Sequence, residues 1–193
     1  MKNLKQLSLI LLAAIAFVSC SNDDDATDNP VPVNEEEVIT TLTATLTPVG
    51  GGTEITLQKQ DSDGDDGPDD AVITVSSPLA IGTTYNVSLE LLNETESPAE
   101  SINEEIEEED DEHQFFYTAS GDVATFAYLD FDGDGNPLGL EFTLTTADVA
   151  STGNITIVLK HLPNKSGEGV SDGDSTNAGG ETDVMAIFPV VVE

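Results

Sequence analysis

In a chain of 193 residues, five basic residues face 38 acidic ones, for a formal net charge of -33. Surfaces that bind phosphate backbones need clustered Lys and Arg to displace counterions, so nucleic-acid binding is excluded. A single cysteine, Cys20, excludes an internal disulfide and a thiolate zinc site, leaving carboxylates and two histidines as the available chemistry.

Residues 1–19 follow the three-part pattern of a secretory signal: Lys2 and Lys5, an apolar run from Leu7 to Val18, and small Ser19 before Cys20. The run is shorter than the roughly 20 apolar residues of a permanent span. Phe17-Val18-Ser19-Cys20 resembles a bacterial lipobox, with Phe where the common form has Leu. The resemblance implies cleavage and lipidation at Cys20 and an outer-membrane anchor. Ser21-Asn22-Asp23-Asp24-Asp25 resembles the surface-export signal of Bacteroidota lipoproteins, which implies exposure at the cell surface. Residues 20–37, with Pro30 and Pro32 and few apolar side chains, read as a solvated tether. Without the leader, three lysines remain against 38 acidic residues, a charge of -35.

The domain is expected over 38–193. From Val38 onward apolar and polar residues alternate with period 2, the pattern of half-buried strands. Val38, Leu42, Ala44 and Leu46 share one face of the first run, and Thr41, Thr43, Thr45 and Thr47 the other. Pro48 to Gly52 is a turn, after which Ile55 and Leu57 alternate with polar neighbours. Further strands are predicted at Ala71 to Val75, Tyr85 to Leu92, Gln114 to Ala119, Val123 to Leu129, Leu138 to Thr145, Asn154 to Leu162 and Val184 to Val192. About nine strands with Gly, Asp and Pro between them predict an all-β fold, an antiparallel immunoglobulin-like β-sandwich. One short acidic helix interrupts it. Ser97-Pro98-Ala99-Glu100 has the residues of a helix start, and Ala99, Ile102 and Ile106 follow at helical spacing. Eight of the nine residues from Glu104 to Glu112 are acidic and crowd the end where the helix dipole disfavours negative charge.

Two constellations point to metal. The loop from Asp130 to Glu141 meets the D-x-D-x-D-G-x5-E spacing of a calcium loop, with Asp130, Asp132, Asp134, the Asn136 carbonyl and Glu141 as ligands and Gly135 at the turn. It resembles an EF-hand loop over twelve residues, but Pro137 and Leu138 depart from that pattern and the flanks alternate like strands. The competing reading is a β-hairpin tip. A second acidic loop, Asp61 to Asp70, lacks a fixed distal Glu. The second constellation is His113 and His161, each at the end of a strand on an apolar face, which with Glu112 or Asp111 offer imidazole and carboxylate ligands to Zn2+ or Cu2+. Each histidine taken singly also reads as a satisfied strand-end residue.

Nucleophilic catalysis finds no support, since there is no G-x-S-x-G elbow and no Ser-His-Asp set, and the chain is expected not to be an enzyme. The lipobox, the acidic tether and the β-domain with Glu112-His113-Gln114-Phe115-Phe116-Tyr117 together resemble small acidic Bacteroidota surface lipoproteins, often encoded beside TonB-dependent receptors. Some of these carry the label of a periplasmic binding fold, which the predicted strands contradict because that fold needs repeated βα units. The resemblance implies a binding module that captures a divalent metal or metal complex as accessory to an outer-membrane transporter. The alternative is a structural or adhesin-like surface domain without a small ligand.

Overall fold

The structure is a computed structural model that describes residues 37–64 and 67–193. The leader, Cys20, the tether up to residue 36, and Asp65 and Asp66 of the second acidic loop lie outside the described residues.

Among the described residues the fold has ten strands, one short α-helix and two 3-10 turns, at Val170–Asp172 and Ser175–Asn177. In chain order the strands and the α-helix are β1 (Thr41–Pro48), β2 (Ile55–Gln60), β3 (Val72–Val75), β4 (Thr84–Asn93), β5 (Glu100–Ser101), α1 (Asn103–Glu108), β6 (His113–Ala119), β7 (Ala124–Tyr128), β8 (Glu141–Thr146), β9 (Ser151–His161) and β10 (Glu181–Val192). They form two antiparallel sheets. The larger has seven strands in the order β3-β2-β1-β4-β8-β7, with β5 paired to the end of β4; the smaller has the order β10-β9-β6. Alternate side chains from both sheets meet in one apolar core: Leu42, Ala44 and Leu46 from β1, Val87, Leu89 and Leu91 from β4, Phe115 from β6, Ile155, Ile157 and Leu159 from β9, and Ala186 and Phe188 from β10. Among the described residues no helix is long and apolar enough to cross a membrane.

The period-2 reading located nine of the ten strands. It misplaced two local features that bear on the site. Val38 is 52% exposed, whereas Glu37 and Ile39 are buried. Thr40 and Thr41 are both buried in succession, so the alternation slips by one residue there and turns the odd-numbered side chains before β1 inward. The helix also starts later than predicted. Glu100 and Ser101 pair with Asn93 and Leu92, so extended pairing wins over the Ser97 cap, and Ala99 is exposed. Asn103 then carries the edge of β4: the Leu91 N–H donates to Asn103 Oδ1 at 2.7 Å and Asn103 Nδ2 donates to the Leu89 carbonyl at 2.9 Å. Ile102 and Ile106 are buried as their spacing implied.

Candidate metal centre

The register of the smaller sheet decides which polar residues meet. His113 opens β6 and His161 closes β9, and the two are direct cross-strand partners. Facing side chains in an antiparallel pair are near neighbours, and the two rings stand 4.6 Å apart between centroids. Between β9 and β10 the register runs regularly from Leu159↔Val184 to the end of the sheet, but shifts between Thr182 and Val184. Asp183 is the extra residue. A bulge of this kind re-aims a side chain, and the Asp183 carboxylate is fully buried with Oδ1 3.6 Å from His161 Nδ1. The chain reaches β10 through Gly180, whose φ is +67° and where a Cβ would fall 2.3 Å from the His161 carbonyl oxygen. Only glycine accepts that approach in that backbone conformation.

The fourth member comes from the segment leading into the larger sheet. Glu37, turned inward by the slip at Thr40 and Thr41, places Oε1 2.7 Å from His113 Nε2 and Oε2 3.5 Å from His161 Nδ1. One ligand atom from each of Glu37, His113, His161 and Asp183 lies within 4.8 Å of every other. Their side chains are between 0% and 4% exposed. Glu112 is the outermost neighbour, 3.9 Å from His161 Nε2 and 40% exposed.

Hydrogen bonding fixes how His113 presents itself. Its Nδ1 lies 3.1 Å from the Glu109 carbonyl, which can only accept, so Nδ1 carries the proton. In the neutral ring Nε2 is then a lone pair directed at the Glu37 carboxylate. Two lone pairs at 2.7 Å repel unless a positive charge lies between them. A proton serves when no metal is present: burial opposes charge on His113, but the Glu37 hydrogen bond and charge, the Glu109 carbonyl and the charge of Asp183 outweigh it and raise its pKa above 6.5. Burial likewise works against the Glu37 carboxylate, yet hydrogen bonding and charge from His113, a backbone hydrogen bond and His161 hold its pKa below 4.5. A divalent cation takes the proton's place once Glu37 and His113 part from 2.7 Å to the roughly 3.3 Å that two ligands of one zinc need, and a backbone-anchored Nδ1–H is the usual outer contact of a metal-bound imidazole. Two carboxylates and two neutral imidazoles also match a charge of +2.

The calcium-loop residues lie apart from this cluster and have other partners. The segment is a hairpin tip with a bridge between Phe131 and Pro137. Asp132 is buried, and its Oδ1 accepts from the backbone N–H groups of Asp134 and Asn136 at 3.0 and 2.8 Å. Its Oδ2 sits 3.0 Å from the Lys165 ammonium, which also donates to the Asp110 and Pro137 carbonyls. Burial opposes the Asp132 charge, but Lys165 and Asn136 keep its pKa below the ordinary 3.8. Asp130 turns away to accept from the Gly139 N–H at 2.9 Å, while Asp134 and Glu141 are exposed. The cation at this tip is an internal lysine. Asp111, offered as an alternative ligand beside Glu112, is exposed and outside the cluster.

Of the four clustered residues, His113 and His161 stand out in the sequence, while Glu37 and Asp183 do not. Glu37 closes a run of acids in a segment read as tether, and Asp183 interrupts the alternation of β10 with nothing but its own charge as a signal. Among the described residues the cluster is the group of histidine and carboxylate ligands able to hold a metal ion. Comparison with protein-family models, curated proteins and solved structures gives no match to this chain.

Proposed function

We propose that the chain is a surface lipoprotein whose β-domain binds one divalent transition-metal ion at Glu37, His113, His161 and Asp183, as accessory to an outer-membrane transporter. The observation that carries this reading is the pair of buried carboxylates and paired imidazoles with ligand atoms within 4.8 Å of one another. Zinc is the ion of choice. Tetrahedral zinc bonds of about 2.0–2.1 Å to nitrogen and oxygen set neighbouring ligands roughly 3.3–3.5 Å apart, close to the 3.5 and 3.6 Å separations around His161 Nδ1, while the 2.7 Å between Glu37 Oε1 and His113 Nε2 must widen when the ion replaces the proton. Calcium takes six to eight oxygens and has little use for imidazole, and Cu2+ competes through its higher affinity for nitrogen. Four protein ligands leave no open coordination position, the mark of a holding site rather than a catalytic one, so the domain acts as a binding module and not as an enzyme. An immunoglobulin-like packing of the two sheets is the architecture this reading assumes. Anchoring through Cys20 and a TonB-dependent receptor as partner rest on the sequence resemblance.

Equilibrium dialysis of the chain against Zn2+, Cu2+ and Ca2+ tests the reading. One tightly held Zn2+ per chain, lost in His113→Ala with His161→Ala, is expected; calcium-only or nonsaturating uptake would sink it. A second reading, an adhesin-like interaction domain, is favoured by the exposed apolar side chains Met185, Ile187 and Val191 along one face of β10. Recovery of matrix polymer rather than a transporter from outer-membrane extract would favour it.

A further inference from the structure

A cavity of about 300 Å³, separate from the metal centre, opens where β7 passes the loop that returns from β9 to β10. It is lined by Tyr117, Phe126, Ala127, Tyr128, Asp172 and Gly173. Its size is at the lower end of small-molecule sites. Three of the six lining residues are aromatic, in a chain where aromatics are 5% of the total. The Tyr117 ring is 5.6 Å from Phe126 and 5.7 Å from Tyr128, with tilted planes, so the three rings form one connected wall.

Neither tyrosine hydroxyl is available to a ligand as a donor. Tyr117 donates to the Gly139 carbonyl and Tyr128 to the Phe115 carbonyl at 2.6 Å. What the tyrosines offer the cavity is ring surface, chiefly that of Tyr128, since Tyr117 is 7% exposed and stacks on Phe142 at 3.9 Å, leaving only its edge to the cavity. The charged groups near it are carboxylates: Asp172 lines it and is exposed, and the half-buried Asp130 is close enough to act electrostatically on both tyrosines. Gln114 lies against Tyr128, is fully buried, and spends its amide N–H on the Val170 carbonyl while Oε1 accepts no hydrogen bond among the described residues. Among the described residues no cationic side chain lines the cavity.

A neutral sugar or polyol needs several donors and acceptors, and a hydrocarbon has no use for the carboxylates. Ring faces attract cations through their quadrupole, and a carboxylate at the rim adds charge to that attraction. We propose that this cavity binds a small organic ammonium ion, the alkylated nitrogen lying against Tyr117, Phe126 and Tyr128 with Asp172 as counter-ion.

The test is NMR titration of the full chain with choline and with its uncharged isostere 3,3-dimethylbutan-1-ol, following the aromatic ring resonances. Choline is expected to saturate with shifts at Tyr117, Phe126 and Tyr128 but not at Tyr85, and to bind at least about tenfold more tightly than the alcohol, as a desolvated cation on aromatic faces should. Asp172→Asn should weaken choline about fivefold, a loss at the upper end for one exposed ion pair, and leave the alcohol unchanged. Glu54→Gln, a charge change far along the chain on an exposed loop, separates this from attraction by the overall negative charge. Equal affinity for choline and the alcohol, equal effects of the two variants, or no saturable shift of the three rings would each overturn the proposal.

Discussion

Replacing Lys165 by Met removes the ammonium that compensates the buried Asp132 carboxylate at the 130–141 hairpin tip. The side chains of the pair are 6% and 1% exposed, so water cannot take over the ammonium's role. The methionine has nearly the same length but no donor, and the Asp110 and Pro137 carbonyls lose their partner together with Asp132 Oδ2. Breaking a buried pair from one side typically costs about 3–5 kcal/mol, because it leaves an uncompensated charge. For a domain of this size that lowers Tm by roughly 10 °C. Asp132→Asn added to Lys165→Met removes the orphan charge and should recover about half of the loss. Urea unfolding of wild type and both variants measures this, with and without calcium. Lys165 sits against Asp132 Oδ2 and the Pro137 carbonyl, two oxygens of the 130–141 loop, so with its charge removed calcium should stabilise the Lys165→Met variant more than the wild type. A loss below about 1 kcal/mol in Lys165→Met, the range of an exposed pair, would refute the buried-pair account. A calcium-specific gain in the wild type that vanishes in Glu141→Gln would restore the calcium loop.

Three further outcomes are expected. Tyr117→Phe leaves the Gly139 carbonyl without its buried donor and should cost about 1–3 kcal/mol in urea unfolding. In the metal-free protein, the His113 contribution to stability is fully present below 6.5 and lost as pH rises through its raised folded pKa, whereas that of Glu37 is present above 4.5 and lost as pH falls through its lowered one. Metal-free stability from this pair is therefore greatest between those pH values, and thermal unfolding in chelator at pH 5.5 and 8.5 should show it falling at the higher pH relative to His113→Gln. Zinc must displace the His113 proton, so its affinity should rise about tenfold per pH unit up to the folded pKa and then level off, which calorimetric titration across pH 6 to 9 can follow.

How far the site was legible depends on the range of the interactions that build it. The strands were readable because burial on one face imposes a local period of two, which Ile155, Ile157 and Leu159 keep along β9, although β6 beside it is buried on both faces from His113 to Tyr117. His113 and His161 were readable as strand-end residues on apolar faces. That they meet depends on the β6–β9 register, which couples residues 48 positions apart and leaves no local trace. Glu37 was hidden by a slip in alternation at two adjacent threonines, and Asp183 by a bulge. Both are defects in the very pattern used to find strands. The calcium motif hides a long-range partner of another kind. Its carboxylate spacing is satisfied, but Lys165, contributed from 33 residues further along, supplies the positive charge that the spacing seemed to require.

Zinc K-edge X-ray absorption of the full chain loaded with one equivalent of Zn2+ tests the central claim most directly, because it reads the ligand atoms themselves. The account predicts four ligands at about 2.0–2.1 Å, with the multiple-scattering signature of two imidazoles, reduced to one in His161→Ala. A six-oxygen shell at the longer distances of carboxylate and water, unchanged in that variant, would mean that the acidic surface and not the buried cluster holds the ion.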